Sequence, residues 1–193
     1  MVTYNAGAGK KVVLVDCGVK EGIIRYLLSR GVEVTRVPWD YDFNTLEFDA
    51  LILSNGPGDP EDCAVTIENI KTFLSKGEEK PLLGLGLGNQ LLALAAGAEV
   101  LKHKYGHRGA TQPVQIVGGE RCYITAQNHG YVVDGTTLPA EWKEWFVNMN
   151  DRTNEGIRHA EKPWMAVQFI PEMNCGPKDS EFVFDNFFQL LNK

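Results

Sequence analysis

Residues 12–15 (Val-Val-Leu-Val) form an unbroken apolar run, closed by Asp16-Cys17-Gly18. Such a run between turn residues predicts a strand covered on both faces. Residues 21–30 place Ile23, Ile24, Leu27 and Leu28 at helical spacing, and Gly31 ends the helix. Residues 32–37 and 50–53 read as the next strands. The second opens into Ser54-Asn55-Gly56-Pro57-Gly58-Asp59-Pro60. Asp59 is placed to cap a helix with Pro60 at its first position, running to about residue 74. Residues 81–83 supply a further strand and residues 90–96 a further helix. This alternation predicts an α/β fold: an open, mostly parallel, flavodoxin-like sheet with helices on both faces.

Beyond Ala98 the rhythm changes. Residues 114–117, 121–125, 145–148 and 166–169 read as strands with few helices between them, predicting a smaller antiparallel strand layer. A last helix over 180–191 carries Phe184, Phe187, Phe188 and Leu191 on one side. Residues 1–10 are expected to be a flexible lead-in or linker stub, and 11–193 one domain. In open sheets of this kind ligands bind outside the carboxyl ends of the strands. Three turns leave those ends: Asn55-Gly56-Pro57-Gly58, Gly86-Leu87-Gly88-Asn89 and Ile170-Pro171-Glu172. Their meeting point is the expected site.

Composition narrows the partners. A net charge of -6 without a visible basic cluster excludes nucleic acid and anionic membrane surfaces. No apolar run approaches the ~20 residues of a membrane span. Cys17, Cys63, Cys122 and Cys175 are scattered, with no C-x-x-C pair and no histidine at ligand spacing. Inert thiols in a cytoplasmic protein are expected rather than a disulfide framework or a metal site. His103, His107, His129 and His159 read as structural or exposed.

The chemistry concentrates in Gly84-Leu85-Gly86-Leu87-Gly88-Asn89-Gln90. A nucleophile elbow reads G-x-[Ser/Cys]-x-G between a buried strand and a helix. This segment has the elbow's form with Gly86 at its apex, so the nucleophile is missing. A phosphate-cradling loop is the competing reading. However, the third glycine comes one residue early for the dinucleotide fingerprint, and the turn follows a later strand. No cofactor is expected.

These turns resemble the class I (triad) glutamine amidotransferases, most nearly the glutaminase domain of the carbamoyl-phosphate synthase small subunit. Four segments carry the resemblance: residues 54–60, the elbow, Gln127-Asn128-His129-Gly130-Tyr131, and Val167-Gln168-Phe169-Ile170-Pro171-Glu172. Tyr105-Gly106-His107-Arg108-Gly109 and Gln112-Pro113 add to it. The likeness runs from about Lys11 to the C-terminus. It implies a Cys thiolate that attacks the glutamine carboxamide, backbone N–H groups that hold the oxyanion, a His that shuttles protons and a Glu that orients the His.

Carried onto this chain, Gly86 stands at the nucleophile position and Ile170 at the base position, while Glu172 keeps the orienting position. The resemblance assigns substrate binding to Gly56, Gly58, Leu87, Gln90, Asn128, Gly130 and Tyr131. It implies as partners L-glutamine, an N-terminal domain of the small subunit, and the carbamoyl-phosphate synthase large subunit. The expected function is thus an amidotransferase domain with its glutaminase chemistry lost. Two other readings stand beside it. One is a scaffold or regulatory module that binds no glutamine, its cleft closed around Ile170. The other is an amidohydrolase using Cys175 or a metal.

Overall fold

The computed structural model describes residues 1–171 and 178–193. Ten strands pair into one sheet in the order β1-β3-β2-β4-β5-β10-β9-β8-β6-β7. Its parallel part is β3 (Glu33–Pro38), β2 (Lys11–Asp16), β4 (Ala50–Leu53), β5 (Leu82–Leu85) and β10 (Trp164–Val167). The antiparallel part is β9 (Asn154–His159), β8 (Trp142–Asn148), β6 (Val100–Ile116) and β7 (Cys122–Val133). The antiparallel strands therefore continue the parallel sheet through the β10–β9 pairing and are not a separate layer.

The apolar run of β2 explains the layering. Val12 and Leu14 face one hydrophobic cluster, with helices α1 (Glu21–Ser29) and α4 (Phe182–Leu191). Val13 and Val15 face the other, with α2 (Ala64–Ser75) and α3 (Leu87–Ala96). All four β2 side chains are at most 2% exposed, so each stabilises the fold by roughly 1.5–3 kcal/mol. Asp59 caps as expected, its side chain accepting from the Glu61 N–H at 3.1 Å. The turn it caps is a 3-10 helix over Pro60–Cys63 that leads into α2.

Three strands escape the hydrophobic pattern. Val2–Tyr4, read as lead-in, forms β1 and pairs antiparallel with β3. Strand β6 begins fourteen residues before its expected start because residues 102–112 are polar and glycine-bearing and mostly exposed. Its pairing with β7 is also broken by register shifts between Lys102 and His107 and between Gly109 and Gln112. Strand β9 is hidden because two of its buried residues, Asn154 and Glu155, are polar. Among the described residues no helix is long and apolar enough to cross a membrane.

Candidate active site

The turns after β4, β5 and β10 meet β6 and β7 around a cleft of about 790 Å³. Gly56, Gly58, Gly86, Leu87, Gln90, Asn128, Gly130, Tyr131 and Ile170 all line it. Every described residue expected at the site is thus in one place. Glu172 and Cys175 lie outside the described residues.

The elbow has the expected strand–turn–helix build. Gly86 sits at φ 55° and ψ −109°, between the end of β5 and the first residue of α3. That backbone region suits glycine and strains any other residue. The Gly86 N–H donates to the Val167 carbonyl at 2.9 Å, locking the apex to the end of β10. A Cβ placed on Gly86 would lie 3.2 Å from the Asn55 Cβ, a tight contact. Gly88 serves packing instead. A Cβ there would come within 2.3 Å of the Leu53 carbonyl oxygen, so α3 packs directly on β4. Ile170 is fixed from the other side, its N–H donating to the Ala126 carbonyl at 3.0 Å.

Side-chain amides brace the floor of the cleft. The Gln168 Oε1 accepts from Gln90 Nε2 at 3.1 Å and from Asn89 Nδ2 at 3.3 Å. Gln90 Nε2 also donates to the Tyr131 carbonyl at 3.0 Å. Residues 127–131, expected as a turn, lie within strand β7, and Gln90 therefore ties the elbow helix to that strand as well as lining the cleft. Two donors on its Oε1 fix the orientation of the Gln168 amide. Its Nε2, buried, has no hydrogen-bond partner among the described residues. Across the cleft mouth the Tyr131 hydroxyl donates to Asp59 Oδ2 at 2.7 Å. This bond holds the Asp59 carboxyl below its ordinary pKa and raises that of the Tyr131 phenol.

A histidine cluster behind residues 127–131 of β7 was not visible in the sequence. His107 and His129 are cross-strand partners, with His107 Nδ1 3.2 Å from His129 Nε2. His107 Nδ1 also lies 3.1 Å from Oε1 of the fully buried Glu155, and its Nε2 lies 2.8 Å from Asp151 Oδ2. The hydrogen bond to Glu155, aided by Asp151, lifts the His107 pKa to about 9 against the opposing effect of burial. Burial pushes His129 the other way. His129 Nδ1 lies 2.9 Å from the Tyr131 carbonyl, so the cluster backs the same strand that Gln90 braces. Only the presence of histidines in paired strands hinted at it, because Glu155 and Asp151 come from a segment with no hydrophobic signal.

His103, His107 and Asp151, and likewise His107, His129 and Glu155, bring ligand atoms within 4.8 Å of one another, so cation binding must be tested against their chemistry. A metal needs a free ring lone pair. Glu155 and Asp151 raise the His107 pKa and so favour its ion-paired, protonated form over a metal ligand. His103 Nδ1 accepts from the Gly106 N–H at 2.9 Å, which leaves the proton on Nε2, the atom facing Asp151. Both groups therefore read as an ion-paired network. The described cysteines are free, and burial raises the Cys17 pKa to about 12, far from a reactive thiolate.

The family model for glutamine amidotransferase class-I matches residues 13–190. The chain belongs to the class-I glutamine amidotransferase family. Carbamoyl-phosphate synthase [ammonia], mitochondrial, of Homo sapiens is 48% identical over 190 residues, covering 98% of this chain and 13% of that protein. The carbamoyl phosphate synthase arginine-specific small chain of Phaeosphaeria nodorum is 48% identical over 184 residues, covering 94% of this chain and 38% of that protein. The chain thus spans about an eighth and well under half of those two relatives. Among solved structures, that of a candidate GMP synthase subunit from Thermoplasma acidophilum superposes with a TM-score of 0.81 at 26% identity, over 95% of this chain and 94% of that one.

Proposed function

We propose that this chain is the amidotransferase domain of a carbamoyl-phosphate synthase that keeps a glutamine-shaped cleft and has lost glutamine hydrolysis. The observation that carries the reading is the pair at the heart of the cleft. Gly86 occupies the elbow apex and Ile170 the facing strand end, where the family resemblance calls for a thiol and an imidazole. Removing the nucleophile alone costs on the order of 10⁶-fold in kcat in a serine-protease triad. Neither Gly86 nor Ile170 carries a group that could attack the carboxamide or shuttle its proton. The remaining oxyanion-side backbone and the Asn128-Gly130-Tyr131 segment serve binding.

Two further observations support this reading. The cleft is open, with room for an amino acid, which favours retained binding over a scaffold closed around Ile170. A relative at 48% identity is named for ammonia, which fits a domain that does not supply ammonia from glutamine. Its proposed partners are the N-terminal domain of the small subunit, together with the synthase large subunit. The cytoplasm is its proposed compartment, on its scattered thiols. The test is calorimetric titration with L-glutamine. Saturable binding heat without sustained heat of hydrolysis is the expected result. Sustained heat would overturn the loss of chemistry, and absence of any heat would overturn the retained pocket.

A further inference from the structure

The cleft concentrates positive charge on a chain whose net charge is -6. Lys102, Lys104 and Arg108 line it, and the one described acid there, Asp59, is already bonded to the Tyr131 hydroxyl. Lys102, Lys104 and Arg108 fall within seven residues of β6, and the fold turns that stretch onto the cleft. A Cβ placed on Gly130 would lie 3.6 Å from Arg108 Nη2, so the guanidinium lies against residues 127–131 of β7.

A second feature is independent of that rim. The N-terminus of the ten-residue helix α3 opens onto the cleft at Gly86 and Leu87. Helix N-termini favour anions through their N–H groups and dipole. Beside it lies Gln168, 2% exposed, whose Nε2 is a donor without a described partner and cannot be flipped without losing two hydrogen bonds. A buried donor in that state calls for an acceptor.

In a working hydrolase the thiolate would sit at this helix end and repel a carboxylate. Gly86 removes that charge and the side chain that carried it. We propose that the cleft takes an L-glutamate-like dicarboxylate in preference to L-glutamine, its side-chain carboxylate seated at the start of α3 beside Gly86 and Gln168. The inference rests on the reading of this cleft as a glutamine-shaped pocket. It converts a substrate site into a site for the anionic product of the lost reaction.

Parallel titrations of the chain with L-glutamate and L-glutamine test it. Glutamate is expected to bind about two- to fivefold more tightly, the scale of a helix-end charge interaction, with the preference shrinking at high salt. Gln168→Glu keeps the acceptor for Asn89 and Gln90 but replaces the unpartnered donor with an anionic oxygen, and should abolish the preference. Lys102→Gln, at an exposed position, should reduce it and keeps the test available if the buried variant does not fold. Glutamine binding as tightly as glutamate, or more tightly, overturns the inference while leaving the pocket reading intact. Binding of neither overturns both.

Discussion

The backbone N–H of Gly86 and the carbonyl of Val167 are 2.9 Å apart in a hydrogen bond that joins the elbow apex to the strand leading into Ile170. The two positions that the family uses for nucleophile and base are therefore held by backbone pairing, independent of the side chains they carry. Gly86→Cys combined with Ile170→His is expected to restore measurable glutamine turnover, with neither single change doing so. Gly86→Cys should lower stability by ~1–3 kcal/mol, because a side chain must enter a glycine backbone region. A coupled ammonia-release assay and thermal unfolding read the two effects. Turnover in the Gly86→Cys single variant would mean that another group acts as base.

Gly88→Ala places a methyl group 2.3 Å from the Leu53 carbonyl oxygen, where neither backbone can move freely. A loss of about 1–3 kcal/mol is expected from overpacking. Gly130→Ala, whose added Cβ meets only a flexible arginine end at 3.6 Å, should cost much less. Denaturant unfolding of the pair checks the contrast, and equal losses would refute the direct α3–β4 packing argument.

Tyr131→Phe breaks the 2.7 Å bond to Asp59 that links the 54–60 loop to strand β7. Because both groups are solvent-accessible, the global melting temperature should hardly move. Amide exchange within residues 54–60 should accelerate instead. Unchanged exchange would show that the loop is held by its backbone contacts alone.

His107 makes stability depend on alkaline pH. Its folded pKa is raised to about 9, while the unfolded chain has the ordinary value of 6.5. The stabilisation is therefore complete below about pH 6.5 and is lost as the pH rises through about 9. The groups facing His107 are Glu155, Asp151 and His129. Melting temperature should decline between pH 7 and pH 9.5 in the natural chain, and His107→Gln should flatten that part of the profile. A decline of the same slope in the variant would assign the pH dependence elsewhere.

The parallel half of the sheet was legible because its strands are buried on both faces. Residues 12–15 and 50–53 have no polar residue to accommodate, so their apolar runs stand out. The site was legible for a different reason: its glycines and amides sit in turns with fixed spacing. What stayed hidden was polar. Glu155 is fully buried yet contributes no hydrophobic signal, and its partners His107 and His129 meet only through β6–β7 pairing. The basic lining of the cleft differs: Lys102, Lys104 and Arg108 stand within seven residues of sequence, and only their convergence on the cleft needed the fold.

Strand β10 lies between β5 and β9, though it is drawn from residues 164–167 and β5 from residues 82–85. The middle of the sheet therefore waits for the last strand in the chain. Until it inserts, β5 presents a bare edge, and the elbow lacks the carbonyl that holds its apex. Closing so distant a contact slows folding and leaves that edge open to mispairing. On a ribosome, the cleft cannot be completed before residues 164–170 have emerged, long after its first loop at 54–60.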